Sequence, residues 1–312
     1  MTPKIICIAG PTASGKTAFA VALAKEIDGE VISCDSMQIY RGMNIGTAKP
    51  TKEEMQDIPH HMLDVADPNE DFSVSRYCQM ATPIIEDILS RGKSAIIAGG
   101  TGLYMDALIR GNTFAPSPST GMRERLEAQA DRDGMQAMLD LLTSIDPQAA
   151  SKLHLADRKR ILRALEVYYE TGETITAHNL KTQSIPPRFN AIWFGLEDAQ
   201  RADLYARIDK RVLEMVENGL IEEINGLIAS GIPVDSTAMQ AIGYKEFLAV
   251  LSGECTMDEA ITQVQQSSRH YAKRQLTWFR RNANMNWLIR QKTDTTAEIL
   301  EKARQILREI DN

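Results

Sequence analysis

Short apolar runs alternate with amphipathic stretches along this chain, the pattern of an α/β fold. Lys4 to Ala9 (KIICIA) is apolar and β-branched, which predicts a buried strand, and Lys16 to Ile27 then reads as a helix. Further strands are predicted at Glu30 to Cys34 (EVISC), His60 to Val65 (HHMLDV), Ser94 to Ala98 (SAIIA), Asn190 to Leu196 (NAIWFGL) and Asn286 to Ile289. A helix opens at Ser73, is kinked by Pro83 and stops at Gly92. Thr51 with Glu54, and Thr256 with Glu259, form capping boxes; the second opens a helix to about Arg281, and Thr295 to Ile310 is a last polar helix. After Leu196 a helix turns Leu204, Ile208 and Val212 to the buried side and carries Arg207, Lys210 and Arg211.

Two loose stretches interrupt this alternation. Gly111 to Gly121 is rich in Gly, Pro, Ser and Thr, and Thr182 to Pro187 is a second such segment. Between them Met122 to Asp133, Met135 to Ser144 and Asp157 to Thr171 are helical and polar. Two linkers enclosing only helices predict an inserted subdomain able to move relative to the sheet. The expected division is a core at 1–114, a helical insertion at 115–188 and a second core part at 189–312.

The chemistry concentrates in Gly10 to Thr17 (GPTASGKT), which fits the phosphate-loop pattern between a strand and a helix. Backbone N–H groups of Gly10, Pro11's successors Thr12, Ala13 and Ser14, and Gly15 at the helix start would converge on a phosphate. Lys16 adds a point charge, and the Thr17 hydroxyl is a ligand for Mg²⁺. Asp35 and Gln38 follow the second strand at its carboxyl end, where open α/β sheets bind ligands; Asp35 as a cap of the next turn is the alternative. The fourth strand runs into Gly99, Gly100 and Thr101, where a phosphate-loop hydrolase would place an acidic Mg²⁺ partner. That counts against an ordinary ATPase or GTPase. Thr101 is either a site hydroxyl or a helix cap. His60 and His61, adjacent on a strand, face opposite ways and read as structural.

Composition narrows the partners. With 312 residues, 43% hydrophobic and 25% charged, the chain reads as an ordinary soluble globular protein. Its formal charge of -7 means that a nucleic acid must be met by local basic patches. Cys7, Cys34, Cys78 and Cys255 lack zinc spacing and fit a reducing compartment, and no apolar run reaches transmembrane length. A cytoplasmic monomer with no membrane partner is the expectation. Basic residues cluster on two helices: Arg158, Lys159, Arg160 and Arg163 with Ile161, Leu162 and Leu165 interleaved, and Arg269, Lys273 and Arg280 in one stripe beside His270, Arg274 and Arg281. Each is a solvated helix face or a surface for a polyanion.

GPTASGKT at Gly10, DSMQIY at Asp35, IGTAKP at Ile45, HHMLD at His60, GGTGLY at Gly99, RALEVY at Arg163, AIGYKE at Ala241 and AKRQLTWFR at Ala272 together resemble the bacterial tRNA dimethylallyltransferases, in order and over nearly the whole length. The resemblance implies a nucleotide-kinase-like, P-loop NTPase-like parallel sheet flanked by helices, with the all-helical insertion gripping the anticodon arm. It implies transfer of the five-carbon prenyl group of dimethylallyl diphosphate to the exocyclic amine of an adenosine just 3′ of the anticodon in tRNA. Arg207 matches the family arginine that reaches the diphosphate, and Thr101 the threonine between acceptor and leaving group. Asp35 would hydrogen-bond the amine and take its proton as the new bond forms.

The acceptor base must leave its stack, and Ser36, Met37 and Gln38 match the segment that holds it. The resemblance also places at tRNA-contacting positions Arg123, Lys159, Arg160, Ile161, Leu162 and Arg163 in the insertion, and Gln240, Ala241, Ile242, Gly243, Tyr244 and Lys245 after it. Lys273, Arg274, Gln275 and Arg280 on the last basic helix complete the set. Three rivals stay open: a prenyltransferase acting on free adenine nucleotides, which has no use for the insertion; a small-molecule or nucleoside kinase, which leaves DSMQIY and AKRQLTWFR unexplained; and an RNA-binding protein that uses nucleotide binding as a switch without chemistry, which would tolerate loss of Asp35.

Overall fold

A computed structural model describes residues 4–112, 114 and 120–311. The chain divides into two compact units, Met1–Ile109 with Phe189–Asn312, and Arg110–Arg188.

In the first unit, β1 (Ile5–Ala9), α1 (Lys16–Ile27), β2 (Gly29–Ser33), α2 (Lys52–Met55), β3 (His60–His61), α3 (Val74–Ser90), β4 (Ser94–Gly99) and α4 (Gly102–Arg110) precede the second unit. Among the described residues six strands form one sheet in the order β3-β2-β4-β1, followed by two strands from the later part of the chain, and every pairing is parallel. Period-two alternation divides β1 between two cores: Ile6 and Ile8 pack with Phe19 and Leu23 of α1, whereas Ile5, Cys7 and Ala9 pack with Tyr77 and Ile85 of α3 and Met105 and Leu108 of α4. Both faces are covered, which is why the strands read as unbroken apolar runs.

Local signals account for most boundaries. Both hydrogen bonds of each predicted capping box are present, at Thr51 and at Thr256. The third strand is shorter than HHMLDV predicts: it ends after His61 because Met62 and Asp64 take left-handed φ of 62° and 55°. Neither histidine is built into a metal site; His60 Nδ1 lies 2.8 Å from Ile58 O and His61 Nε2 2.9 Å from Glu30 Oε2.

The second unit holds α5 (Met122–Ile145), α6 (Pro147–Ala150), α7 (Arg158–Thr171) and α8 (Ile175–Ser184). Gly134, at φ 81°, breaks α5 where the sequence separates its first two helices. Leu126, Met138, Leu142, Ile161, Leu162 and Leu165 form its core. Of the loose stretch expected at Thr182 to Pro187, the first three residues are instead the last turn of α8, whose start is capped by Thr174, and Ile185 to Pro187 are irregular as expected. Most of the other predicted linker, at 111–121, lies outside the described residues.

The chain then returns to the first unit with β5 (Ala191–Asp198), α9 (Arg201–Glu217), α10 (Leu220–Ala229), α11 (Lys245–Leu251), α12 (Met257–Phe279), β6 (Met285–Arg290) and α13 (Thr296–Asp311). β5 pairs with β1 and β6 with β5, so β1 lies between β4 and β5. Leu204 and Ile208 of α9 and Ala272 of α12 close over Ala13 of the phosphate loop. No helix among the described residues is long and apolar enough to cross a membrane.

Candidate active site at the carboxyl ends of the strands

Five strand ends deliver the site. β1 opens into the loop 10–15, β2 into Asp35, β4 into Gly100 and Thr101, and β5 and β6 finish on Asp198 and Arg290, which are register partners. This is the sheet edge at which parallel folds bind ligands.

The phosphate loop is tied back by its carbonyls. Lys16 Nζ donates to Pro11 O at 2.6 Å, Arg207 Nε to Ala13 O at 3.0 Å and Arg290 Nη1 to Ser14 O at 3.2 Å. Arg211 Nη1 stands 3.5 Å from Thr12 Oγ1. Ala13, at φ 60°, and Gly15, at φ 86°, take the left-handed turns that swing the loop into α1. Asp198, its side chain 3% exposed, bridges two of the arginines: Arg207 Nη2 lies 2.5 Å from Oδ2 and Arg290 Nη2 3.0 Å from Oδ1. Lys16 and Arg211 form no ion pair among the described residues. Burial, reinforced by the charge of Arg211 and opposed by Asp35, pushes the Lys16 ammonium down to about 7. Burial also pushes Arg211 down, and the Ser14 hydroxyl is buried with no hydrogen-bond partner among the described residues. Half-buried cations without an ion-pair partner and a buried hydroxyl without a hydrogen-bond partner are what a phosphate group would satisfy.

Asp35 serves both readings of the sequence. Its Oδ1 accepts from Met37 N at 2.9 Å and Gln38 N at 3.4 Å, a turn cap, while Oδ2 accepts no hydrogen bond among the described residues. Thr101 occupies the start of α4, yet its hydroxyl does not cap that helix; it accepts from Ser36 N at 3.0 Å, and so joins the DSMQIY and GGTGLY segments. Tyr271 of α12 is half-buried beside Asp35 and Thr101, and burial followed by the charge of Asp35 pushes its phenol up to about 12. The Gln38 amide is engaged within the protein, donating to Thr47 O and Ala48 O and accepting from Ser33 Oγ.

Burial sorts the side chains of the residues expected to touch RNA. Ile161 and Leu162 are 0% exposed in the core of the helical unit, so their side chains offer a partner nothing. Tyr244 is also 0% exposed, its hydroxyl donating to Glu223 Oε1 at 2.6 Å, while Ala241 and Gly243 are buried beside it. Glu223 accepts as well from the backbone N–H of Asn44, Ile45 and Gly46, so AIGYKE and IGTAKP meet on one carboxylate. Gln240 and Lys245 are exposed and Ile242 half-buried. Gln275 is 5% exposed and turned inward, toward Thr12 and Gly100.

The remaining cations differ in their partners. In the helical unit Arg123 and Arg163 converge on Glu166, at 3.8 and 2.9 Å, Arg160 pairs with Asp157 at 3.2 Å, and Lys159 is exposed. On α12, Arg269 pairs with Asp209 at 2.5 Å and Arg280 with Glu197, whereas Lys273 and Arg274 are exposed without a carboxylate partner among the described residues. Mutual repulsion along the stripe, expected from spacing alone, is thus relieved at two positions by acids of the chain itself.

Sequence reading named Arg211 without giving it a role and passed over Asp198, Arg290, Tyr271 and Glu223. Asp198 and Arg290 are the last residues of their strands, so the rule that singled out Asp35 would have found them had β5 and β6 been drawn to their full length.

Residues 38–282 match the model of a family described as IPP transferase. The chain is 45% identical over 285 residues to tRNA dimethylallyltransferase 2 of Geotalea uraniireducens, covering 91% of this chain and 92% of that one. It is 46% identical over 291 residues to the tRNA dimethylallyltransferase of Thermoanaerobacter sp. strain X514, covering 93% and 92%. Among solved structures, the tRNA isopentenylpyrophosphate transferase of Bacillus halodurans superposes with a TM-score of 0.74 at 44% identity, over 99% of this chain and 97% of that one. A eukaryotic dimethylallyltransferase acting on tRNA gives 0.83 at 30% identity, over 98% of this chain and 78% of that one. The chain belongs to the IPP transferase family.

Proposed function

We propose that this protein is a transferase that moves the dimethylallyl group of dimethylallyl diphosphate to the exocyclic amine of an adenosine beside the anticodon in tRNA, releasing diphosphate. The observation that carries this reading is the cluster of four cations on the phosphate loop, Arg207 and Arg290 sharing Asp198 while Lys16 and Arg211 reach Pro11 O and Thr12 Oγ1, at the strand ends that also hold Asp35 and Thr101. An allylic diphosphate that ionises leaves negative charge on the diphosphate, and preorganised cations lower the energy of that charge as it grows. Lys16 and the loop N–H groups bind it, and Arg207, held on two sides, keeps Nη1 for it.

Asp35 takes the amine proton on Oδ2 while Oδ1 stays fixed to the backbone of Met37, so the acceptor oxygen is held in place. Thr101 positions the departing oxygen relative to that carboxylate. Among the described residues no group of three or more His, Cys, Asp or Glu could hold a metal. The Thr17 hydroxyl, at the start of α1, would be the protein ligand of an Mg²⁺ that arrives with the diphosphate. When bound it would add positive charge beside the leaving group.

The test is incubation with Mg²⁺, radiolabelled dimethylallyl diphosphate, unmodified tRNA and adenosine monophosphate as competing acceptor. Label in tRNA alone is expected. Label in the mononucleotide would make the protein a nucleotide prenyltransferase, and no label in either would direct attention to phosphoryl transfer from ATP.

A further inference from the structure

Two of the family motifs are the two halves of one contact. On α12, Gln275 and Trp278 are three residues apart and share a helix face, and that face lies on the GGTGLY segment. Gln275 Nε2 donates to Gly100 O at 3.0 Å, and its Oε1 accepts from Thr12 N of the phosphate loop at 2.9 Å. Trp278 Nε1 donates to Asp106 Oδ2 at 2.8 Å. The glycines of the segment make the fit possible: a Cβ at 100 would collide with Gln275 Nε2, and one at 102 with the Trp278 indole. One and two residues before Gln275 on the same helix, Arg274 and Lys273 are exposed.

A buried amide that spans two loops fixes the gap between them, because both of its bonds must be made at once. The loops spanned here are the one that would hold the leaving diphosphate and the one that carries Thr101. We infer that Gln275 is a positioning residue, which sets the separation of the phosphate loop and the Thr101 loop and so the alignment of leaving group and acceptor. It touches neither RNA nor the reacting atoms. Thr12 N–H is consumed by this bond, so the anion is left to the N–H groups further along the loop. This inference rests on the transfer reaction proposed above.

The test compares wild-type protein with Gln275→Met, Gly100→Ala and the double variant, reading kcat, the KM of each substrate, and tRNA affinity by filter binding without diphosphate. A displacement near 1 Å between reacting groups costs about a hundredfold in rate, so Gln275→Met is expected to lower kcat by about that factor and leave the tRNA Kd within about twofold. Gly100→Ala is expected to act likewise by pushing the amide aside, and the double variant to be no worse than the poorer single one, since both break the same link. A kcat within about threefold of wild type would overturn the inference, as would a loss confined to tRNA Kd and KM, which is how an RNA contact behaves. If Gln275→Met does not fold, Gln275→Glu carries the same test: it keeps the acceptor for Thr12 N–H and sets an oxygen against Gly100 O. An inactive wild type would overturn the transfer reading, and this inference with it, whereas active wild type with active variants removes only the inference.

Discussion

Each end of the sheet in the first unit gathers several cations around one buried carboxylate, and the two ends differ in what else is present. At the amino end of β2, Glu30 receives Arg91 at 2.5 Å, His61 at 2.9 Å and Lys93 at 3.3 Å. Arg91 has a second acid in Asp87 and Lys93 one in Asp28, and both reach solvent. At the carboxyl ends, Asp198 serves Arg207 and Arg290, and Lys16 and Arg211 form no ion pair among the described residues. A buried positive group is tolerated where acids or water balance it and points to a ligand where neither does. Charge counting along a helix misses this distinction, because the balance is set by residues distant in sequence.

The largest effect expected from this contrast is on Lys16. Lys16→Ala removes a charge placed to meet the leaving group, and prenyl transfer to tRNA should fall by about a thousandfold. A loss smaller than about tenfold, ~1.4 kcal/mol in the barrier, would mean that the unbalanced cations are not where the diphosphate leaves.

Asp198→Ala makes the carboxyl end still less balanced, leaving the half-buried Arg207 and Arg290 without their shared anion. The variant should lose about 3 kcal/mol of stability in urea unfolding, and inorganic diphosphate should restore more of the variant's stability than it adds to wild type. Equal stabilisation of the two proteins would show that the anion does not take the place of the carboxylate.

At the amino end the prediction is in pH. The Arg91 hydrogen bonds, with smaller help from His61 and Lys93 and against burial, hold the Glu30 carboxyl at about 2, below its ordinary 4.5. A depressed carboxyl stabilises the fold fully above the unfolded value, and that contribution is lost as pH falls from 4.5 toward 2. Because its cations reach solvent, screening reduces the effect, and Glu30→Gln should cost about 1–2 kcal/mol at pH 7. The gap between variant and wild type should close as pH approaches 2. A gap independent of pH would mean that packing, not charge, is what Glu30 provides.

What sequence could and could not show follows the same division between local and distant causes. Strand cores, capping boxes and the break at Gly134 are set by neighbouring residues, and Lys16–Ile27 forms over the range its pattern predicts. The third strand shrank because left-handed residues at Met62 and Asp64 leave no trace in hydrophobic alternation. Motif matching brought the right segments to attention without telling which side chains face out. Tyr244 and Gln275 sit in motifs that read as RNA contacts, yet one anchors a loop through Glu223 and the other bridges two loops. Asp198 and Arg290 lie 92 residues apart in sequence and meet only because β5 and β6 pair in register.

The smallest effect concerns the stripe on α12, where resemblance assigns Lys273 and Arg280 the same role and the structure separates them. Arg280 is engaged by Glu197, while Lys273 has no carboxylate partner among the described residues. A cation that neutralises an RNA phosphate releases a counterion, so removing it lowers the slope of log affinity against log salt by about one. A cation already neutralised by a carboxylate must first give up that partner and releases less. Lys273→Ala should therefore weaken tRNA binding by less than about tenfold and flatten the slope by close to one, and Arg280→Ala should flatten it by clearly less. Glu197→Gln sharpens the comparison further: freeing Arg280 should steepen the slope and tighten tRNA binding. Equal slope changes for Lys273→Ala and Arg280→Ala would show that pairing within the chain does not govern which basic residues meet RNA, and the distinction drawn between the two ends of the sheet would then hold only for buried cations.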